Sequence, residues 1–173
     1  MGRSYVVGCK IIMKKHRIDL LNILKYAMVI VLLVYIGFLL SQEGGKDVSV
    51  KTIRENILAV TETKGMNKGT TQDLKKYYGL NANDYEGVML YVPNDVMSVN
   101  EILVIKLKDK SQAENVEKAI QKRLHTQKNS FEGYGAEQTK LINSAVTDSR
   151  GYYVLLAISK DADQIYEAFR KSI

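Results

Sequence analysis

Hydrophobic positions along this chain fall into three regimes. From Leu20 to Leu40 they are nearly continuous. Tyr26 to Leu40 runs 15 residues without a charge, and extension back to Leu20 gives 21 residues broken only by Asn22 and Lys25. At 1.5 Å rise per residue such a helix is about 31 Å long, the thickness of a bilayer's hydrocarbon core. Residues 20–40 are therefore expected to cross a membrane. From Val48 to Thr63 the period is helical, with Val50, Ile53, Ile57 and Val60 on one face and Ser49 placed to cap the start.

The stretch from Lys64 to Gly69 reads as a loop. A short helix follows, opened by Thr70 or Thr71 and closed by Gly79. From Tyr85 the period becomes two. Val88, Leu90 and Val92 share one side of a strand that Pro93-Asn94-Asp95 closes, and Glu101 to Lys108 forms a second strand. Ser111 and Glu114 have capping-box spacing ahead of a long helix striped by Ala113, Val116, Ile120, Leu124 and Phe131. Leu141 to Thr147 reads as a third strand and Tyr152 to Ser159 as a fourth. A last helix runs from Ala162 and presents Ala162, Ile165 and Phe169.

The expected fold class is α+β, in the order α-α-β-β-α-β-β-α after a transmembrane helix. Hairpins joined by helices predict an antiparallel four-stranded sheet with helices on one face, a two-layer domain. The organisation is a basic flank (1–19), a spanning helix (20–40), a linker (41–47) and a folded domain (48–173).

Charge orients the anchor. The first 25 residues hold Arg3, Lys10, Lys14, Lys15, Arg17 and Lys25 against Asp19, net +5 of the +6 carried by the whole chain. Short basic flanks stay in the cytoplasm, so the domain is expected outside, in contact with membrane lipid only through residues 20–40. The folded part is near neutral with no basic stripe, which excludes nucleic acid as a partner. Phe38 to Gln42 offers a poor signal-peptidase site, which argues against cleavage. Val6-Val7-Gly8-Cys9 lies on the wrong side of the apolar run for a lipobox. Gly2 lacks the Ser or Thr that myristoylation requires. A start at Met13 would give a more compact basic head.

Candidate chemistry is sparse. Cys9 is the only cysteine, and His125 is the only histidine past the anchor, so no His/Cys metal cluster and no Cys nucleophile is expected in the domain. Lys64 to Thr71 lacks the order of a phosphate-binding loop, and Asn81 to Asp84 is too short for a calcium loop. No catalytic residue, metal ligand or cofactor is assigned. Of the eight tyrosines in the domain, Tyr91, Tyr134, Tyr152 and Tyr153 are the candidates for a contact surface, because tyrosine combines apolar area with a water-tolerant hydroxyl.

Several short pieces recur in an order that resembles a known family: Tyr91-Val92-Pro93, Glu101-Ile102, Lys106, Lys108-Asp109, Arg123, Gln127, Phe131, Tyr134, Ala145-Val146, Gly151-Tyr152-Tyr153-Val154 and Asp161-Ala162. From Val48 to Ile173 the chain is similar to a bacterial domain family of unknown function, found in membrane-attached and lipoprotein-type proteins of Gram-positive anaerobes. The resemblance implies an envelope location and carries no catalytic residue. Relatives often place a lipidated cysteine after the apolar run; Ser41-Gln42 stands there instead, which favours a spanning helix.

Two functions stay open. The first is a non-catalytic module on the outer side of the membrane, contacting a protein or envelope component. The second is an envelope hydrolase or small-ligand sensor whose carboxylates converge only in the fold.

Overall fold

The computed structural model describes residues 22–37 and 47–173. Residues 22–37 are helical (α1), and every large apolar side chain from Ile23 to Ile36 is at least 43 % exposed. Among the described residues no helix is long and apolar enough to cross a membrane. The ends of the expected 20–40 span, the basic flank 1–19 and the linker up to residue 46 lie outside the described residues.

The folded part begins with α2 (Val50–Leu58), whose Ser49 side chain accepts from the Thr52 amide as expected of the cap. Then come β1 (Met66–Lys68), α3 (Thr71–Tyr78), β2 (Gly87–Pro93) and β3 (Glu101–Lys106). They are followed by α4 (Ala113–Phe131), α5 (Ala136–Asn143), β4 (Val146–Arg150), β5 (Tyr153–Ile158) and α6 (Ala162–Ser172). The strands form one antiparallel sheet in the order β1-β2-β3-β5-β4. The α+β class holds, but the sheet has five strands where four were expected.

The extra strand, β1, lies in the stretch read as a loop. It is three residues long, and only Met66 is buried. It exists because Met66 and Lys68 pair with Pro93 and Tyr91, a long-range contact that leaves no periodic trace in so short a run. The third expected strand is also displaced. Leu141 to Asn143 end α5, where Ile142 is buried against the neighbouring helix, and the strand runs from Val146 to Arg150 with both faces largely exposed. Gly151, at φ 61°, and Tyr152 make the two-residue turn into β5.

Helices cover both faces of the sheet, so the domain has three layers rather than two. Strands β3 and β5 are buried along their whole length. On one face Leu103, Ile105, Leu156 and Ile158 pack with α3, α4 and α5 through Leu74, Val116, Ile120 and Ile142. On the other, Ile102, Val104, Leu155 and Ala157 pack with α2 and α6 through Ile53, Ile57, Ile165 and Phe169. Burial of each such side chain stabilises the fold by roughly 1.5–3 kcal/mol.

The long helix starts differently from its sequence signature. No side chain caps α4 itself; a 3-10 turn, Lys110–Gln112, leads into it, and Asp109 caps that turn: its carboxylate accepts from the Ser111 amide at 2.8 Å, and the Gln112 side chain reaches back to the Asp109 and Lys108 amides. Those bonds to Ser111 hold the Asp109 carboxyl below the usual carboxylate range.

Candidate functional site

Glu101 opens β3, whose next four residues, Ile102 to Ile105, are apolar, and it lies on the α3/α4 face, fully buried. Four donors satisfy it. The Tyr78 hydroxyl, from the end of α3, donates to Oε1 at 2.5 Å. Arg123, from the middle of α4, donates through Nε and Nη2 to Oε2 at 3.1 and 2.7 Å. One turn further, Gln127 donates its amide to Oε2 at 2.7 Å. A buried carboxylate without such partners would cost several kcal/mol. Burial first, then the Glu101 charge, pushes the Tyr78 hydroxyl well above its ordinary value, so it stays a donor. Both carboxylate oxygens are engaged and none faces solvent. Glu101 is therefore built to position Arg123 rather than to take a proton from a ligand.

Above this network lies a cavity of about 400 Å³. Arg123 and Gln127 line it, with Tyr77, Phe131 and Tyr134 contributing rings, and the β2–β3 connection closes one side through Asn94, Asp95, Val96 and Ser98. The Arg123 guanidinium lies over the Tyr77 ring, 4.4 Å from its centroid. The connection is held in place by three links. Val99 is buried in the core, Asp95 Oδ1 accepts from the Met97 amide at 2.7 Å, and Gln138 of α5 donates to the Met97 carbonyl at 2.9 Å. Tyr134 follows a turn at Gly133 (φ 89°); its hydroxyl donates to the Ser130 carbonyl, and its ring meets Phe131 at 5.8 Å. Gly135 sits so close to Phe131 that an added Cβ would come within 2.7 Å of Cδ1.

A second cluster lies across the sheet. Lys106 is buried and donates to Glu86 at 2.6 Å and to Asp47. Burial works against its charge, but the bonds to Asp47 and Glu86 outweigh it and hold the ammonium above the ordinary lysine value. Next to it, the Tyr153 hydroxyl accepts from the Val48 amide at 2.7 Å and donates to the Val48 carbonyl at 2.8 Å. Tyr152 and Tyr153 line a cavity here with Asp47, Glu86 and Lys106.

The four candidate tyrosines do not share a surface. Tyr91 and Tyr153 are buried in the α2/α6 core, since that face of the sheet is covered. Tyr134 and Tyr152 are exposed but line different cavities. Sequence reasoning passed over Glu101, Arg123, Gln127 and Tyr78 as chemistry. The signal was present: Arg123 and Gln127 stand three and seven residues after Ile120, on or beside the apolar stripe of α4, where a polar residue needs a buried partner. Pro93, Glu101, Arg123, Gln127, Phe131 and Tyr134, on which the family resemblance partly rests, come together at this network and its cavity.

His125 is exposed, with its Nε2 3.1 Å from the Asn129 amide nitrogen. Among the described residues no group of three or more His, Cys, Asp or Glu is placed to hold a metal ion. Comparison with curated proteins and with solved structures gives no match to either. One family model does match, over residues 59–159 and so more than half of the 173-residue chain, and the protein belongs to that family, the domain of unknown function DUF4358.

Proposed function

We propose that this protein is a single-pass, membrane-anchored module of the cell envelope. Its helix at 20–40 would span the bilayer, its N-terminus would face the cytoplasm, and its three-layer domain would act outside by contact with a protein or envelope component. The observation that carries the reading is α1. Its apolar side chains are exposed all round the helix, and a helix apolar on every face needs an apolar surrounding. Concentration of the positive charge before it supports the orientation. For the domain, a buried, fully paired carboxylate beneath an open cavity favours binding over proton transfer.

The single cysteine provides the test. In cells expressing a Glu132→Cys variant, a membrane-impermeant maleimide should label residue 132, at the exposed end of α4, while Cys9 reacts only after lysis. Labelling of Cys9 in intact cells with residue 132 protected would invert the topology. Labelling of neither or both before lysis would also count against it.

A further inference from the structure

Strand β4 ends the sheet, so one of its edges has no neighbouring strand among the described residues. Hydrogen-bond parity identifies the groups on that edge. The Leu107 amide donates to the Tyr152 carbonyl at 2.7 Å, so the even-numbered residues from Tyr152 onward turn their backbone groups toward β3. The odd-numbered ones turn theirs toward β4, where Tyr153, Leu155 and Ala157 face Arg150, Asp148 and Val146. Thr147 and Ser149 therefore aim amide and carbonyl away from the sheet. Both are exposed, as is Arg150. The usual protections of an edge are missing here. Strand β4 has no proline or lysine, its register runs without a bulge, and it is longer than the three-residue β1 at the other end of the sheet.

We propose that β4 pairs antiparallel with β4 of a second copy of this chain, centred on Ser149, and so joins two five-stranded sheets into one. The pairing goes beyond the envelope contact proposed above and does not depend on which side of a membrane the domain occupies.

Charge selects both the occupant and the register. Outward backbone groups at odd positions require odd residues to oppose odd ones. Centring on Asp148 or Arg150 would set that charge against its own copy. Centring on Val146 or Thr147 would leave both charges without an opposite one. Centring on Ser149 sets Asp148 against Arg150 of the second copy, twice by symmetry. Asp148 and Arg150 share the α2/α6 face of the sheet, opposite Leu155 and Tyr153. The Asp148 Oδ2 is buried without a hydrogen-bond partner, and Arg150 Nε of the same chain stays 3.7 Å away. A buried carboxylate oxygen in that state calls for a donor, and the seam brings the second copy's guanidinium to it. The Arg150 side chain is 48 % exposed, within reach of a strand laid along the edge. At the centre the two Ser149 backbones exchange a pair of hydrogen bonds.

The test uses the full-length chain in isolated cell membranes, with Cys9→Ser so that an introduced thiol is the only one. A Ser149→Cys variant should form a disulfide-linked dimer under copper–phenanthroline oxidation. Directly opposed hydrogen-bonded residues stand about 5.5 Å apart at Cα, within disulfide reach. Thr147→Cys should not link, because Thr147 opposes Gly151 of the second copy and the two Thr147 positions lie roughly 13 Å apart. Adding Arg150→Asp to Ser149→Cys should cut the dimer yield by about threefold or more, whereas Arg150→Lys should largely keep it. Arg150 is exposed, so unfolding does not account for the loss. The idea fails if Ser149→Cys gives no dimer, if Thr147→Cys links as well, or if Arg150→Asp changes nothing or Arg150→Lys loses as much. It also fails if mass spectrometry finds a different protein, instead of a second copy, in the linked product. Maleimide labelling reads the topology on its own, so a failure here leaves the anchor reading standing.

Discussion

Arg123 holds Glu101 with two nitrogens, and the carboxylate it holds has no exposed surface. The pair joins the start of β3 to the middle of α4 and sets the floor of the cavity. Its energetics are asymmetric. Two charges have been taken out of water, so breaking the pair costs more than making it contributes.

Arg123→Met should therefore lower stability by about 3–5 kcal/mol, because Glu101 would be left charged and buried. Adding Glu101→Leu to that variant should recover much of the loss. Denaturant unfolding followed by circular dichroism reads both. Equal stability of the single and double variants would show that the pair is not coupled.

The alkaline side of the stability profile should report on Tyr78. Its folded pKa is raised above the ordinary 10.0, by burial and then by the Glu101 charge. Its contribution is thus fully present below about pH 10 and is lost as the pH rises toward the folded value. Lys106, also raised, adds to the same limb. Tyr78→Phe should cost about 1.5–3 kcal/mol at neutral pH, the worth of a hydrogen bond to a charged group. It should also flatten the fall in melting temperature between pH 9 and 11. An unchanged slope would remove Tyr78 from this role.

Tyr153 ties the start of the domain to the sheet by exchanging two hydrogen bonds with Val48. Tyr153→Phe keeps the packing and removes both, so a loss of about 1–3 kcal/mol is expected. Amide exchange should rise first in α2, the element that Val48 leads into. Uniform acceleration across the domain would mean that the contact does not act locally.

If the sheet is covered on both faces, α6 must be as much a part of the core as α4. Phe169 is fully buried between α6 and the sheet, and Phe169→Ala should cost about 3–5 kcal/mol. A loss below about 1 kcal/mol, measured by urea unfolding, would contradict the third layer.

Gly69 marks a close approach. A Cβ there would lie 2.5 Å from Leu90 Cγ, so Gly69→Ala should destabilise by about 1–3 kcal/mol through overpacking. A combined Leu90→Ala change should remove the clash and make the pair less than additive. Full additivity would refute the contact.

Most helices and the central strands were legible because their signals are local. Ser49 and Gly79 act where capping rules place them, and the runs Ile102 to Ile105 and Tyr153 to Ile158 form strands whatever they pair with. Errors arose where the deciding contact is distant. Met66 to Lys68 becomes a strand only through β2. Leu141 and Ile142 look like a strand until α4 supplies a helical neighbour, and Ser111 does not cap α4 because it lies inside a 3-10 turn that Asp109 caps.

Composition and period alone fixed the apolar run, the basic flank before it, the α+β class and the absence of a disulfide from the folded part. Each depends on residue type and spacing within a few turns of chain. The tertiary structure decided that the sheet is covered on both faces, that Tyr91 and Tyr153 are core while Tyr134 is rim, and that Glu101, Arg123, Gln127 and Tyr78 meet. The reason is physical: a polar side chain in an apolar stripe reveals that a partner must exist, but only the packing of β3 against α3 and α4 selects which one.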